Sequence, residues 1–172
     1  MGQQMKKFYT ALKYISDTAF VIGKYLGLIS LFTILGAMIL QVFMRYVIQR
    51  PLIWPEGLCK VLFIWMSYLA VGLVIRTRGH IAIDFLYTRF PGILQGIIKY
   101  VISGTMLFII VIFGVYSLKF TLNTKAYIYE LGMISEFWLW LSMPIAGLFM
   151  LVHMIFVVFE DIYKQFFQDK HN

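Results

Sequence analysis

Few residues in this chain could do chemistry, and their spacing limits what that chemistry is. Cys59 is the sole cysteine in 172 residues, so neither an intrachain disulfide nor a thiolate metal cluster can form. A lone thiol in apolar company reads as a small packing residue. His153 is the one ionisable side chain inside the long apolar run from Phe137 to Phe159. It could be a proton relay or a haem ligand, but an axial haem site wants a second matching ligand. The plainer reading is a histidine near lipid headgroups, bonded to water or a neighbour. Glu56 precedes Lys60 by four residues, the better orientation for a helical ion pair, and Arg45 and Arg50 are close in sequence. Arg76 and Arg78 precede His80 and Asp84, and the last two, four apart, would share one face of a helix. The alternative for both groups is ordinary anchoring of helix ends to headgroups. No catalytic, metal or cofactor-binding set is spelled out, so the expectation is a chain that is not an enzyme and holds no cofactor.

The elements around these residues are long and apolar. Apolar residues make up 61% of the chain and charged residues 13%, about half the charged share of a soluble domain. A soluble protein of this size has too much surface for its volume to hide that much apolar area. Four runs contain no Lys, Arg, Asp or Glu: Tyr25–Met44, Val61–Ile75, Tyr100–Leu118 and Phe137–Phe159. Hydrocarbon offers backbone groups no partners, so such runs must be helices. The expected fold is an all-α integral membrane protein, a single transmembrane domain over 1–172. Its spans lie at about 25–45, 55–76, 91–119 and 136–160. Pro55 suits the first position of the second helix. A start at Pro91 would make the third long enough to tilt or protrude. The first run exceeds the core of a cleaved signal peptide, and no small-x-small site follows it.

Two further segments look interfacial. Within residues 1–24, Phe8, Leu12, Ile15, Ala19 and Ile22 recur at helical spacing, opposite Thr10, Lys13, Asp17 and Lys24. That pattern suits an amphipathic helix lying on the membrane, the alternative being the near end of the first span. Ile81–Phe90, closed by Pro91-Gly92, reads as a short surface helix.

The loops set the orientation. Lys6, Lys7, Lys13, Lys24, Arg76, Arg78, Arg89, Lys99, Lys164 and Lys170 share one side; Arg45, Arg50, Lys60, Lys119 and Lys125 share the other. The positive-inside rule then puts both termini in the cytoplasm. The net charge of +7 suits anionic phospholipid at that face. It does not suit nucleic acid, which needs a soluble basic surface. Trp54, Trp138 and Trp140 fall near the outer span ends, where indoles prefer to sit. Trp65 falls at mid-span, where it should pack between helices with its N–H bonded to a neighbour.

Ion-coupled transport usually leaves carboxylates or paired broken helices inside the membrane. The four apolar runs hold no carboxylate. Pro144 interrupts the fourth span and frees the carbonyl of Trp140. The pairs Gly23 with Gly27 and Gly92 with Gly96 could each admit a close helix contact. On these residues alone four readings stay open: a scaffold subunit, an independent four-span transporter, a helper of another membrane complex, and a membrane enzyme, whose thiol or haem chemistry would need paired cysteines or paired histidines.

The stretch from Arg45 to Asp84 adds a resemblance. Arg45 near the end of span one, Trp54-Pro55-Glu56 opening span two, Trp65 and Gly72 within it, then Arg76, Arg78-Gly79-His80-Ile81 and Ile83-Asp84 past its end resemble the small, DctQ-like membrane subunit of tripartite ATP-independent periplasmic (TRAP) transporters. The resemblance implies a bacterial inner-membrane protein in a sodium-coupled symporter for an organic acid, such as a dicarboxylate or a sialic acid. It implies a large membrane subunit that carries the transport sites by an elevator motion, and a periplasmic substrate-binding protein that delivers the acid. This chain would be the scaffold. Arg45, Trp54, Glu56, Trp65, Arg76, Arg78, His80 and Asp84 would then be its structural or subunit-interface residues.

Overall fold

The computed structural model describes residues 2–77 and 92–168. The expected surface helix at 81–90 lies outside the described residues, as do Arg78, His80 and Asp84. Among the described residues, four helices are long and apolar enough to cross a membrane. Helix α1 runs Gly2–Tyr46, α2 runs Trp54–Arg76 and α3 runs Gly92–Asn123; a short α4, Phe137–Trp140, leads into α5, Ser142–Gln168.

The first helix departs from expectation. No proline interrupts residues 2–46, and the helix continues through Lys24 without a boundary. Its 45 residues measure about 68 Å at 1.5 Å each, roughly twice the hydrocarbon thickness of a bilayer. The amphipathic segment is therefore helical, and it is one rod with the first span. Its packing stripe also differs from the apolar one. Ile15 and Ile22 point away from the bundle, while Ser16, Gly23 and Ala37 are buried in it. The rod stops where Gln49 takes a left-handed φ of 57° and Pro51 follows, since proline has no N–H to extend the ladder.

Helix α2 opens with Pro55 in its first turn and closes with Thr77, whose N–H donates to the Leu73 carbonyl. Between α3 and α4 the chain forms a small hairpin. Tyr127–Ile128 pairs antiparallel with Ile134–Ser135 across a 3-10 turn, Tyr129–Leu131. Gly132 (φ 73°) and Met133 (φ 65°) make the reversal, and glycine takes that region without a Cβ penalty. The hairpin seats on α2. A Cβ at Gly57 would come within 2.9 Å of Leu131 and 3.0 Å of Glu130.

Helix α5 packs against α1, α2 and α3, and α2 packs against α1. Ile75, Ile110, Ala146, Met150 and Met154 form the buried cluster between α2, α3 and α5. Two close approaches set these crossings. At one, a Cβ on Gly147 would stand 3.2 Å from the Gly114 Cα. At the other, Phe149 inserts between Gly23 of α1 and Gly72 of α2, and a Cβ on either glycine would collide with its ring. Of the expected glycine pairs, Gly23 thus makes a real interhelical contact. The surroundings of Gly92 and Gly96 lie outside the described side chains. The distribution of polarity is that of a protein in lipid. Phe32 and Ile39 are 68% and 69% exposed, while Ser16, Thr121, Ser142 and His153 are buried.

Candidate functional site

Two polar constellations stand out against this apolar frame. The first ties α1, α2 and α5 together at the end of the bundle that holds both termini. Ser16 and Asp17 are consecutive on α1, so they diverge by about 100° around the helix and address two neighbours. Asp17 accepts a charge-assisted hydrogen bond from the Arg76 guanidinium of α2. The Ser16 hydroxyl and His153 Nδ1 of α5 lie 2.9 Å apart. Both Ser16 and His153 are fully buried, whereas Arg76 and Asp17 side chains are 20% and 47% exposed.

Aromatic rings wall this cluster. The Arg76 Cζ sits 4.2 Å from the centroid of the Phe156 ring, a distance at which the ring quadrupole attracts the cation. Phe149 stands edge-on to His153 at 4.6 Å. Beyond, Tyr9 stacks on Tyr163 at 4.7 Å, and Phe8 meets Phe159 edge-on at 5.0 Å. The low-dielectric walls strengthen the Asp17–Arg76 attraction and raise the cost of leaving either partner alone.

The second constellation lies at the break in the fourth span. Leu141 separates α4 from α5, and Pro144 supplies no N–H for the Trp140 carbonyl. Three successive carbonyls here accept side-chain donors. Trp65 Nε1 of α2 donates to Trp138 at 3.1 Å. The Ser142 hydroxyl donates to Leu139 at 2.7 Å. The Thr121 hydroxyl of α3 reaches Trp140 at 3.0 Å, and its own Ser117 carbonyl at 2.8 Å. Trp140 Nε1 in turn donates to Glu136 Oε2 at 3.0 Å, which steadies the short helix. The break therefore ties α2, α3 and α5 to one another.

The sequence-derived candidates separate cleanly. Trp65 and Arg76 sit in these constellations. Glu56, Lys60, Arg45 and Trp54 are exposed at the opposite end. Among the described residues, no lysine or arginine nitrogen comes within ion-pair reach of Glu56. Arg45 stands 5.9 Å above the Tyr46 ring, at the C-terminal end of α1, where a cation complements the helix dipole. The partner of Arg76 is Asp17, 59 positions away, and that of His153 is Ser16, 137 positions away. Spacing along one helix carries no signal for either pair. The one legible hint was the carboxylate of Asp17 in an otherwise basic N-terminal segment. Among the described residues, no group of three or more His, Cys, Asp or Glu side chains could hold a metal ion.

The comparisons with known proteins bear on this architecture. The family model of the DctQ component of tripartite ATP-independent periplasmic transporters matches residues 34–164. The sialic acid TRAP transporter permease protein SiaT of Haemophilus influenzae is 29% identical over 145 residues, which are 84% of this chain and 23% of that protein. The sialic acid TRAP transporter small permease protein SiaQ of Vibrio cholerae is 23% identical over 129 residues, 74% of this chain and 73% of that one. A 45-residue stretch is 40% identical to the isethionate TRAP transporter permease protein DctMQ of Oleidesulfovibrio alaskensis, covering 26% of this chain and 7% of that protein. The chain thus spans under a quarter of the length of SiaT and about three quarters of SiaQ. The family match covers most of the chain, runs from mid-α1 into the last turns of α5 and takes in both Arg76 and His153, and on that ground the chain belongs to the DctQ component family of TRAP transporters.

Proposed function

We propose that this chain is the stationary small subunit of a sodium-coupled TRAP transporter for an organic acid, packed against a large membrane subunit whose transport domain moves. The observation that carries this reading is the state of the broken span. A transport site uses a helix break to present open carbonyls to ions and substrate. Here the carbonyls of Trp138, Leu139 and Trp140 are taken by Trp65, Ser142 and Thr121. The break stiffens the bundle, and stiffness is what a scaffold needs. A sialic acid or related acid as cargo is supported by the similarity to the sialic acid transporter proteins SiaT and SiaQ, and its delivery would fall to a periplasmic binding protein.

The same reading assigns roles to the candidate residues. Trp65 and Arg76 hold helices in register inside the chain. Glu56, Arg45 and Trp54 are exposed at the end away from the termini and face the large subunit or the headgroups of surrounding phospholipid. The exposed Glu56 carboxylate supports a partner contact there. Arg78, His80 and Asp84 would anchor the far end of α2. The chain as a single transmembrane unit, and the cytoplasmic position of both termini in the bacterial inner membrane, belong to this proposal.

Purification of the tagged chain in mild detergent, from cells expressing it in its native chromosomal context, tests the reading. A stoichiometric apolar partner with many more spans is expected. Glu56→Ala should lower the yield of that complex. A chain that runs alone as a stable dimer and drives uptake by itself would overturn the proposal.

A further inference from the structure

Lys24 bounds the first apolar run in the sequence, but the fold carries it deep into the bundle. Four contacts set the antiparallel register of α1 against α2. Asp17 holds Arg76. A Cβ on Gly23 would stand 3.3 Å from Leu73, and one on Gly27 3.9 Å from Met66. The Cys59 thiol lies 3.9 Å from the Ile34 carbonyl. Lys24 is therefore about 10 Å along α1 from the level of Arg76, and about 15 Å short of that of Cys59. It stands beside the charge-free run Val61–Ile75 of α2. Helix α5 gives the same depth. Phe149, which fills the space at Gly23, lies one residue past the middle of the charge-free run Phe137–Phe159. Both measures put Lys24 well inside the hydrocarbon, away from the helix ends where lysines snorkel to headgroups.

We infer that the side of α1 and α2 turned away from α5 receives a transmembrane helix of the large membrane subunit, and that a carboxylate on that helix pairs with Lys24 inside the bilayer. The inference rests on the proposed subunit role and gives it a face and a partner group. Lys24 is exposed, and among the described residues no carboxylate lies within ion-pair reach of it. A lysine left against lipid at this depth is costly, and ionisable residues inside membranes face protein and pair. A carboxylate both balances the ammonium and accepts its hydrogen bonds. The neighbouring surface of α2 admits a helix. Its exposed residues Glu56, Lys60, Phe63, Ser67, Ala70 and Val74 follow helical spacing along one stripe. Ser67 and Ala70 fall at the depth of Lys24, and small residues let helix backbones approach closely. The Ser67 hydroxyl donates to its own Phe63 carbonyl at 2.7 Å, so it asks nothing of the incoming helix. The stripe ends at Glu56, the residue already assigned to the same partner.

The test is co-purification of the tagged chain with the large subunit in mild detergent, with variants at Lys24. Lys24→Met suits lipid better than lysine does, so it inserts at least as well as the native chain. It should nonetheless lower the yield of the complex, because it strands the partner carboxylate. Lys24→Glu should lower the yield by at least about tenfold, since like charges facing one another across an interface are strongly unfavourable. Lys24→Arg should keep it, and changing one Asp or Glu within the spans of the large subunit to Lys should restore the Lys24→Glu complex. A second measurement leaves Lys24 intact. The photo-crosslinking residue p-benzoylphenylalanine replaces Leu28, one turn from Lys24 on the same face, or Ile29, about 140° around α1 from it; both native side chains are exposed. The Leu28 probe should capture the large subunit, and the Ile29 probe should capture lipid. Native yield in both Lys24→Met and Lys24→Glu, or a Leu28 probe that labels lipid alone in an intact complex, would overturn this inference and leave the subunit role standing. A native chain that purifies without the large subunit would overturn both.

Discussion

At the scale of residues, the pair Asp17–Arg76 does more than its exposure suggests. Surface ion pairs contribute roughly 0–1 kcal/mol, and Asp17 is almost half exposed. Arg76, however, is mostly covered and lies against Phe156, so an unpaired guanidinium there would be costly. Removing one partner should therefore hurt more than removing both. Asp17→Leu alone is expected to lower the thermal midpoint of the purified complex. Asp17→Leu with Arg76→Met should recover part of the loss, with a coupling of about 1–2 kcal/mol. Strictly additive changes across that cycle would mean that the pair is merely a crystal-like surface contact. This pair was not legible in the sequence. Asp17 read as one polar position on an amphipathic face, and Arg76 as a headgroup anchor. The contact joins residues from different helices, and periodicity along one helix reports which residues share a face but not what that face meets.

At the scale of elements, the broken fourth span shows where sequence reasoning reaches and where it stops. The loss of an N–H at Pro144 is local chemistry, so the freed Trp140 carbonyl was legible. So was the need of Trp65 for an acceptor at mid-span. The identity of the partners was not, because Thr121 and Trp138 come from other elements. The polar face of the N-terminal segment was likewise legible, but not its fusion with span one into a single rod. An apolar stripe that faces lipid and one that faces a neighbouring helix use the same residue types, and Ile15 and Ile22 turned out to be of the first kind. The substitution Thr121→Val tests the tie at the break. It removes the donor to Trp140 and should cost about 1 kcal/mol, the net value of one buried hydrogen bond. In a Pro144→Ala background the helix can supply its own N–H to that carbonyl, so the same substitution should cost much less. Equal costs in both backgrounds, measured by thermal unfolding of the complex, would remove the break from the list of rigid joints.

At the scale of the whole molecule, the four spans were legible because lipid leaves the backbone one local solution, while the arrangement of the spans was not. Nothing in the apolar runs ranked α5 as the helix that touches all the others. Its small-residue contacts, with Gly114 facing Gly147 and Phe149 seated between Gly23 and Gly72, are the physical reason. The proposed orientation rests on another whole-molecule property, the ten lysines and arginines that the sequence assigns to the side of the termini against five to the other. Each basic residue on the wrong side would have to leave an attractive anionic leaflet, so the asymmetry should hold the molecule one way round. Cys59→Ala makes a background without cysteine, since that thiol is the only one. Into it, Lys6→Cys marks the start of the α1 rod and Tyr129→Cys marks the hairpin tip, where the native side chain is 75% exposed. A membrane-impermeant maleimide applied from the periplasmic side should modify the hairpin variant and leave the α1 variant unmodified until the membrane is opened. Dual labelling would mean mixed insertion. The reverse pattern would turn the hairpin and Glu56 toward the cytoplasm, and no contact of theirs with a periplasmic partner could then be sustained.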